Sequence, residues 1–255
     1  MPLKLNKISD DVIKENIPRN RERVKKFQTA DPSSKMRSDA VRYATRYADA
    51  AEDLALGLYQ QQGDPQEIRH YLAIAAKELL HVLSLQGENA SLVPIDFEAA
   101  LALAVCFCDK SVYDPASTVP VTRFFSNPES LSFFAVLVQY LDVLRKFLST
   151  NTLAQEAWQR ALAECSKSNA GKYDAVVTKS KLNALKAVAT GDPALLNENI
   201  AILIEDHENE AKRGENQNSR RGFICMPALM FARLGADRKL PVTVQSPYLP
   251  LYLLS

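Results

Sequence analysis

The sequence predicts an all-α protein in which antiparallel helical hairpins pack as a bundle or as a short repeat-like array. Apolar residues recur at steps of three and four along most of the chain, as they do on one face of a helix. Only eight glycines occur in 255 residues, which is few for a fold rich in tight turns and β-hairpins. We therefore expect residues 1–255 to form a single all-α domain, with a weak internal boundary near 110–126.

Helix boundaries follow from capping residues and prolines. Pro65, Pro128 and Pro193 each follow an Asp or Asn, which is the order expected where a proline occupies the first helical turn. The stretch 110–126 contains two prolines and is expected to be a non-helical loop packed on the body. The predicted helices are, in order, 38–62, 63–87, 95–109, 126–149, 152–167, 172–190, 191–213 and 225–235.

The C-terminal segment 241–255 is apolar, yet its three prolines oppose an α-helix. We expect it to leave the last helix in an extended form and to turn at Pro247 and Pro250. The turn would lay Tyr248 and the following leucines against the helices as a strap. These residues are expected to be structural.

The chain has only three histidines, so few catalytic or metal-binding arrangements that use histidine are available. Glu67 and His70, and Glu78 and His81, have the E-x-x-H spacing of di-iron bundles, but both pairs lie on one predicted helix, whereas such sites draw on different helices. His207 continues an apolar helical stripe and is expected to be a structural histidine at the edge of the core. We expect no catalytic residues, no metal and no cofactor, and therefore not an enzyme.

Charge and cysteine usage restrict the partners and the compartment. The net charge of +1 gives no overall field that would attract nucleic acid or a membrane, so charge-driven recognition must be local. No paired-thiol motif occurs, and we expect the cysteines to be free and buried in a cytoplasmic protein. They are Cys106, Cys108, Cys165 and Cys225.

The last quarter of the chain resembles a known family. Four features follow one another along residues 191–255. "GD" opens a helix at Gly191, and an amphipathic run ends in His207. The stretch "ALMFARLGADRKLPV" comes next, and "SPYLP" followed by leucines ends the segment. This order resembles the immunity protein 49 family of bacterial polymorphic-toxin systems. The resemblance implies a helical protein that binds and neutralises a cognate toxin, and so protects the producing cell. An alternative interpretation is a helical-repeat adaptor that grips a peptide or a protein partner.

Two acidic clusters are candidates for the toxin-binding surface. If the toxin is a nuclease, it must carry a basic substrate groove, to which an inhibitor would present acids. Four acids surround the C-terminal turns of the helix that carries His207, where they oppose the helix dipole, and we expect this patch to bind the partner. Its members are Glu205, Asp206, Glu208 and Glu210; the alternative patch, grouped by helical spacing, is Asp49, Glu52 and Asp53.

Overall fold

The computed structural model describes residues 3–30, 37–87, 92–124, 128–167 and 172–255. Ten α-helices occupy these ranges, and the prediction of an all-α fold is confirmed. They are α1 (Asp10–Thr29), α2 (Arg37–Gln60), α3 (Pro65–Gln86), α4 (Pro94–Phe107), α5 (Lys110–Ser117), α6 (Pro128–Thr150), α7 (Gln155–Cys165), α8 (Lys172–Thr190), α9 (Pro193–Lys212) and α10 (Met226–Ala236).

Sequential helices pack as neighbours through most of the fold. In the first half α2 lies between α1 and α3, and in the second half α8 lies beside α9. The central helix α10 contacts α4, α8 and α9, and so links the two halves. Because α4 and α10 are apolar on nearly all sides, they occupy the middle of one continuous hydrophobic core.

The predicted helix starts are confirmed at two capping residues. The side chain of Asp64 accepts a hydrogen bond from the backbone N–H of Gln66, and Asp192 accepts one from Leu195 at 3.0 Å. Pro65, Pro128 and Pro193 are the first residues of α3, α6 and α9, whereas Asn127, the third predicted cap, lies outside the described residues.

The prediction of a non-helical stretch over 110–126 was wrong at its start. Residues Lys110–Ser117 form α5 despite Pro115, and Val121–Phe124 form a 3₁₀-helix. A short helix is possible because Pro115 lies near its end, where a missing N–H removes a single intrahelical bond. The Ser117 carbonyl, at its C-terminus, accepts a hydrogen bond from Arg145 of α6 at 3.3 Å.

Helix α1 precedes the first helix expected from the sequence. The side chain of Ser9 caps it by accepting from the Val12 N–H, and Ile13 and Val24 are buried against the core. Pro18 stands inside this helix on an exposed side, where the carbonyl that loses its partner can bond to water.

The C-terminal strap is present and closes over the helices. Tyr248 and Leu249 are buried, and the Tyr248 carbonyl accepts a hydrogen bond from the Cys225 N–H at 2.9 Å. After the turn, residues Leu251–Leu254 form a 3₁₀-helix in which Leu253 is buried. Tyr252, by contrast, is half exposed.

Both ends of the described chain meet beside α2. The Tyr248 hydroxyl donates to the Leu5 carbonyl at 2.7 Å, and the Tyr59 hydroxyl of α2 donates to the carbonyl of Pro247. Nearby, the backbone N–H of Lys7 donates to the Gln217 carbonyl at 2.8 Å. This arrangement fixes the segment 214–222, which connects α9 to α10, against the α1–α2 hairpin.

Candidate functional site

A cleft of about 540 Å³ lies between α1, α2 and the segment 214–222. Its apolar wall comes from residues such as Ile13 and Ile17 of α1 and Leu56 of α2. Its polar wall brings together six ionisable side chains that are far apart in the sequence. They are Arg23 of α1, Asp49, Glu52 and Asp53 of α2, and Arg220 and Arg221 of the segment 214–222.

The two helices approach closely at the floor of the cleft. Gly57 of α2 faces Ile17 of α1, and a Cβ atom at position 57 would lie 3.3 Å from Ile17 Cγ1. Because glycine has no side chain, it allows the helices to draw together below the charged residues.

The arginines of the segment 214–222 lie against the acids of α2. Arg220 Nη1 is 2.7 Å from Asp53 Oδ2 in a partly buried ion pair. Burial raises the pKa of Asp53, and the guanidinium of Arg220 lowers it by a smaller amount. Burial also raises the pKa of Glu52, against which Arg221 is the largest opposing charge. The cleft is therefore a partly desolvated site where opposite charges are only partly paired.

Asn6 holds the segment that carries these arginines. Its side-chain amide donates to the carbonyl of Ser219 at 2.6 Å and to that of Asn216 at 3.3 Å, and its oxygen accepts from the Ile8 N–H. Gly222, at the end of the segment, is packed so that a Cβ atom there would lie 2.7 Å from the Asn216 carbonyl oxygen. The position of the two arginines is thus set by backbone contacts as well as by charge.

His207 of α9 lies against the same segment, 214–222. Its ring lies 5.3 Å from the Tyr248 ring in an edge-to-face arrangement and contacts the backbone of Gly222. Burial lowers the pKa of His207 to about 4, which keeps the imidazole neutral at pH 7. Of the strap residues expected to be structural, Tyr248 and Pro250 are buried, and Pro247 is exposed but accepts the Tyr59 hydrogen bond.

The acidic patch expected to bind the partner is engaged largely within the protein. Glu208 pairs with Lys212, and a Glu210 carboxylate oxygen accepts from the Glu215 N–H at 2.9 Å. Asp206 also has an interaction within the structure, and Glu205 is exposed on α9. Lys212 and the backbone of the segment 214–222 therefore account for two of the four acids at this helix end.

The remaining candidate residues are not assembled into a reactive site. His70 and His81 are exposed on α3, and in the described ranges no group of three or more His, Cys, Asp or Glu side chains could hold a metal ion. The four cysteines are free, and burial raises the pKa of Cys225 to about 12, far from that of a reactive thiolate.

Local sequence contains no sign that Arg220 and Arg221 share a cleft with α2. Helical spacing grouped Asp49, Glu52 and Asp53, but the arginines follow α9 by way of two short 3₁₀-helices. Arg23 was missed together with α1. The available signal was a stripe of α1 at steps of four and three, in which Ile13, Ile17, Val24 and Phe27 are apolar and Asn20 is polar.

The fold and the cleft together define a helical protein with a concave surface that is lined by charges of both signs, as in many surfaces that recognise other proteins. No helix in the described parts of the chain combines the length and apolar character needed to cross a membrane. The profile of the immunity protein 49 family matches residues 64–253. The chain belongs to the immunity protein 49 family. No curated protein and no solved structure matches it.

Proposed function

We propose that this protein binds a cognate antibacterial toxin in the cytoplasm and neutralises it by stoichiometric binding, without catalysis of its own. Membership of the immunity protein 49 family is the observation that carries this proposal. A helical surface with partly paired charges supports it, because such a surface favours fast and specific association with a partner of complementary charge. A general adaptor would bind several unrelated peptides, whereas an immunity protein binds the toxin encoded beside its own gene.

The toxin contacts the cleft in this proposal, with Asp49 and Glu52 as the principal acids. Asp49 is exposed at the edge of the cleft, and among the described residues no ion pair engages it. The α9 patch is a weaker choice, since Glu208 is already paired with Lys212 and the Glu210 carboxylate already accepts from the Glu215 N–H. The cleft would suit a toxin with a basic substrate groove, such as a nuclease.

Reversal of one exposed charge on each surface tests the assignment. We expect Asp49→Lys to weaken toxin binding by at least about tenfold at low salt, because it replaces attraction by repulsion. The matched change Glu205→Lys, also at an exposed acid on a helix, should alter the affinity by less than about twofold. Binding is measured by calorimetry at two ionic strengths, with a catalytically inactive form of the toxin encoded by the neighbouring gene.

The two variants separate the possible results. A loss confined to Glu205→Lys would move the contact surface to α9. A wild-type protein that does not bind this toxin would overturn the proposed function itself. Circular dichroism of both variants provides the folding control.

A further inference from the structure

A second charged surface lies on the α1–α2 hairpin, beyond the cleft. Two adjoining cavities of about 510 and 450 Å³ share Lys26, Phe27 and Arg46 in their walls. Their basic side chains recur at helical spacing, at steps of four and three on α1 and of four on α2, so each helix contributes one row. We call this surface the basic groove; its cations are Arg19, Arg23, Lys26, Arg42 and Arg46.

Most of these cations lack a partner. Arg19, Arg42 and Arg46 are exposed, and no ion pair joins any of them to another described residue. Lys26 pairs only with Glu22, in an i,i+4 contact whose side chains are 73% and 68% exposed. Asp39 is the one acidic side chain in the walls of the two cavities, among the described residues. The groove therefore carries an excess of positive charge in a protein whose net charge is only +1.

Aromatic rings form a fixed floor between the two rows. Phe27 stacks on Tyr47 with ring centroids 5.3 Å apart and meets the edge of Tyr43 at 4.9 Å. The Tyr43 hydroxyl donates to the Phe27 carbonyl, which ties the end of α1 to α2. Because these contacts fix the helices, the arginine rows are held at a set separation, and binding requires little rearrangement.

We propose that the basic groove binds an acidic segment of the toxin. This inference rests on the proposed function and adds a second contact, whose charge is opposite to that of the cleft acids Asp49 and Glu52. Arginine guanidinium groups make paired hydrogen bonds with carboxylates, and a row of them without carboxylate partners is suited to a chain of Asp and Glu side chains. The aromatic floor offers an apolar face to the backbone and side-chain stems of such a segment.

The surroundings favour an acidic protein segment over a nucleic acid. Arg23 lines both the groove and the cleft, so the two surfaces are continuous. On α2 the stripe that carries Arg42 and Arg46 continues into Asp49 and Asp53, at steps of three and four. A phosphate backbone that extended along this stripe would meet those acids, whereas a folded partner can present acids to one end and bases to the other.

Double charge reversal tests the proposal. We expect Arg42→Glu with Arg46→Glu to weaken toxin binding by at least about tenfold, and more strongly at low salt. The matched control is Arg160→Glu with Lys179→Glu, which reverses two exposed cations on α7 and α8 and should change the affinity by less than about twofold. Calorimetry with the inactive toxin gives the affinities, and thermal unfolding checks that each variant is folded. If the reversed pair does not fold, Arg42→Gln and Arg46→Gln replace it.

Two further probes identify the ligand class. A labelled glutamate-rich peptide should bind the wild-type protein and the control variant but not the groove variant, as measured by fluorescence anisotropy. Equal toxin affinity in the wild-type and groove variants would overturn the proposal while leaving the proposed function in place. Loss of single-stranded RNA binding without loss of toxin binding would also overturn it, in favour of a nucleic acid. Failure of the wild-type protein to bind the toxin would count against the proposed function instead.

Discussion

His207 shows how one buried titratable side chain makes stability depend on pH. Its pKa falls from the ordinary histidine value of 6.5 to about 4, because burial disfavours the imidazolium form, while the Gly222 backbone and Glu210 act in the opposite direction. Below pH 6.5 the unfolded chain binds a proton at this residue that the folded protein excludes. The stabilisation by neutral His207 is therefore complete above pH 6.5 and is lost as the pH falls towards 4.

Substitution of His207 should remove this pH dependence. In wild type, His207 should make the free energy of unfolding decrease by about 1.4 kcal/mol for each unit by which the pH falls between about pH 6 and about pH 4.5. In His207→Phe we expect this decrease to be absent. Urea unfolding at several pH values measures it, with exposed His81→Phe as the control. The difference in slope between wild type and His207→Phe, set against that between wild type and His81→Phe, isolates the buried histidine. Parallel curves for wild type and His207→Phe would contradict the assignment.

At the scale of elements, a buried ion pair joins α4 to α8. Lys181 Nζ is 2.7 Å from Glu98 Oε1, and the two side chains are 10% and 11% exposed. The ammonium group also lies 5.4 Å from the centre of the Tyr140 ring on α6. Because the desolvation of two charges offsets much of their attraction, the pair fixes how these three helices fit together more than it stabilises them.

Removal of one partner should cost much more than removal of both. We expect Lys181→Met to lower the free energy of unfolding by about 3–5 kcal/mol, because it leaves the Glu98 carboxylate buried and unpaired. The double variant, with Glu98→Met added, should recover most of this loss. Chemical denaturation of the two single variants and the double variant gives the coupling energy. Additive losses would show that the two side chains do not act as a pair.

At the scale of the whole molecule, the two ends of the described chain stabilise each other and the cleft. Tyr248 reaches Leu5, the Asn6 side chain holds the segment 214–222, and Arg233 of α10 donates to the Leu254 carbonyl at 3.1 Å. The Tyr59 hydroxyl of α2 also donates to the Pro247 carbonyl, so the strap contacts α2, α10 and the N-terminal segment that holds residues 214–222.

Deletion of residues 247–255 should destabilise the whole protein. It removes the buried side chains of Tyr248, Leu249 and Leu253, each worth about 1.5–3 kcal/mol, together with buried Pro250. We expect the Tm to fall by at least about 10 °C or the protein to become insoluble. If the deletion prevents expression, Tyr248→Phe should cost about 1 kcal/mol through the lost hydroxyl bond. The half-exposed Tyr252→Phe serves as its control. A deleted protein as stable as wild type would contradict the structural role of the strap.

Periodicity predicted the helices that bury a broad apolar stripe, but not α1, in which half of the residues are charged. α3 and α9 carry a clear stripe and a capping Asp, whereas α1 has few apolar residues and contains Pro18. α1 is held by packing against α2, through buried residues such as Ile13 and Val24, and the exposed Arg21–Glu67 ion pair to α3 adds little. Such tertiary contacts are not visible in local sequence.

The candidate site was predictable only in part, for a similar reason. Helical spacing grouped the three acids of α2, and it also places Arg42 and Arg46 on one row. It could not show that Arg220 and Arg221 return to the same helix, because loop segments between helices follow no periodicity. The net charge of +1 gave no sign of the cleft or of the basic groove, because positive and negative patches cancel in the total charge.

The bond from Tyr248 to Leu5 also sets an order of events during synthesis. Leu5 leaves the ribosome early in synthesis, whereas Tyr248, whose hydroxyl donates to the Leu5 carbonyl, is added 243 residues later. Until then Tyr248 cannot contact Leu5 or His207, even if the helices have already collapsed around α4. The contacts that join the two ends of the described chain would consequently form late, after residue 248 has left the ribosome.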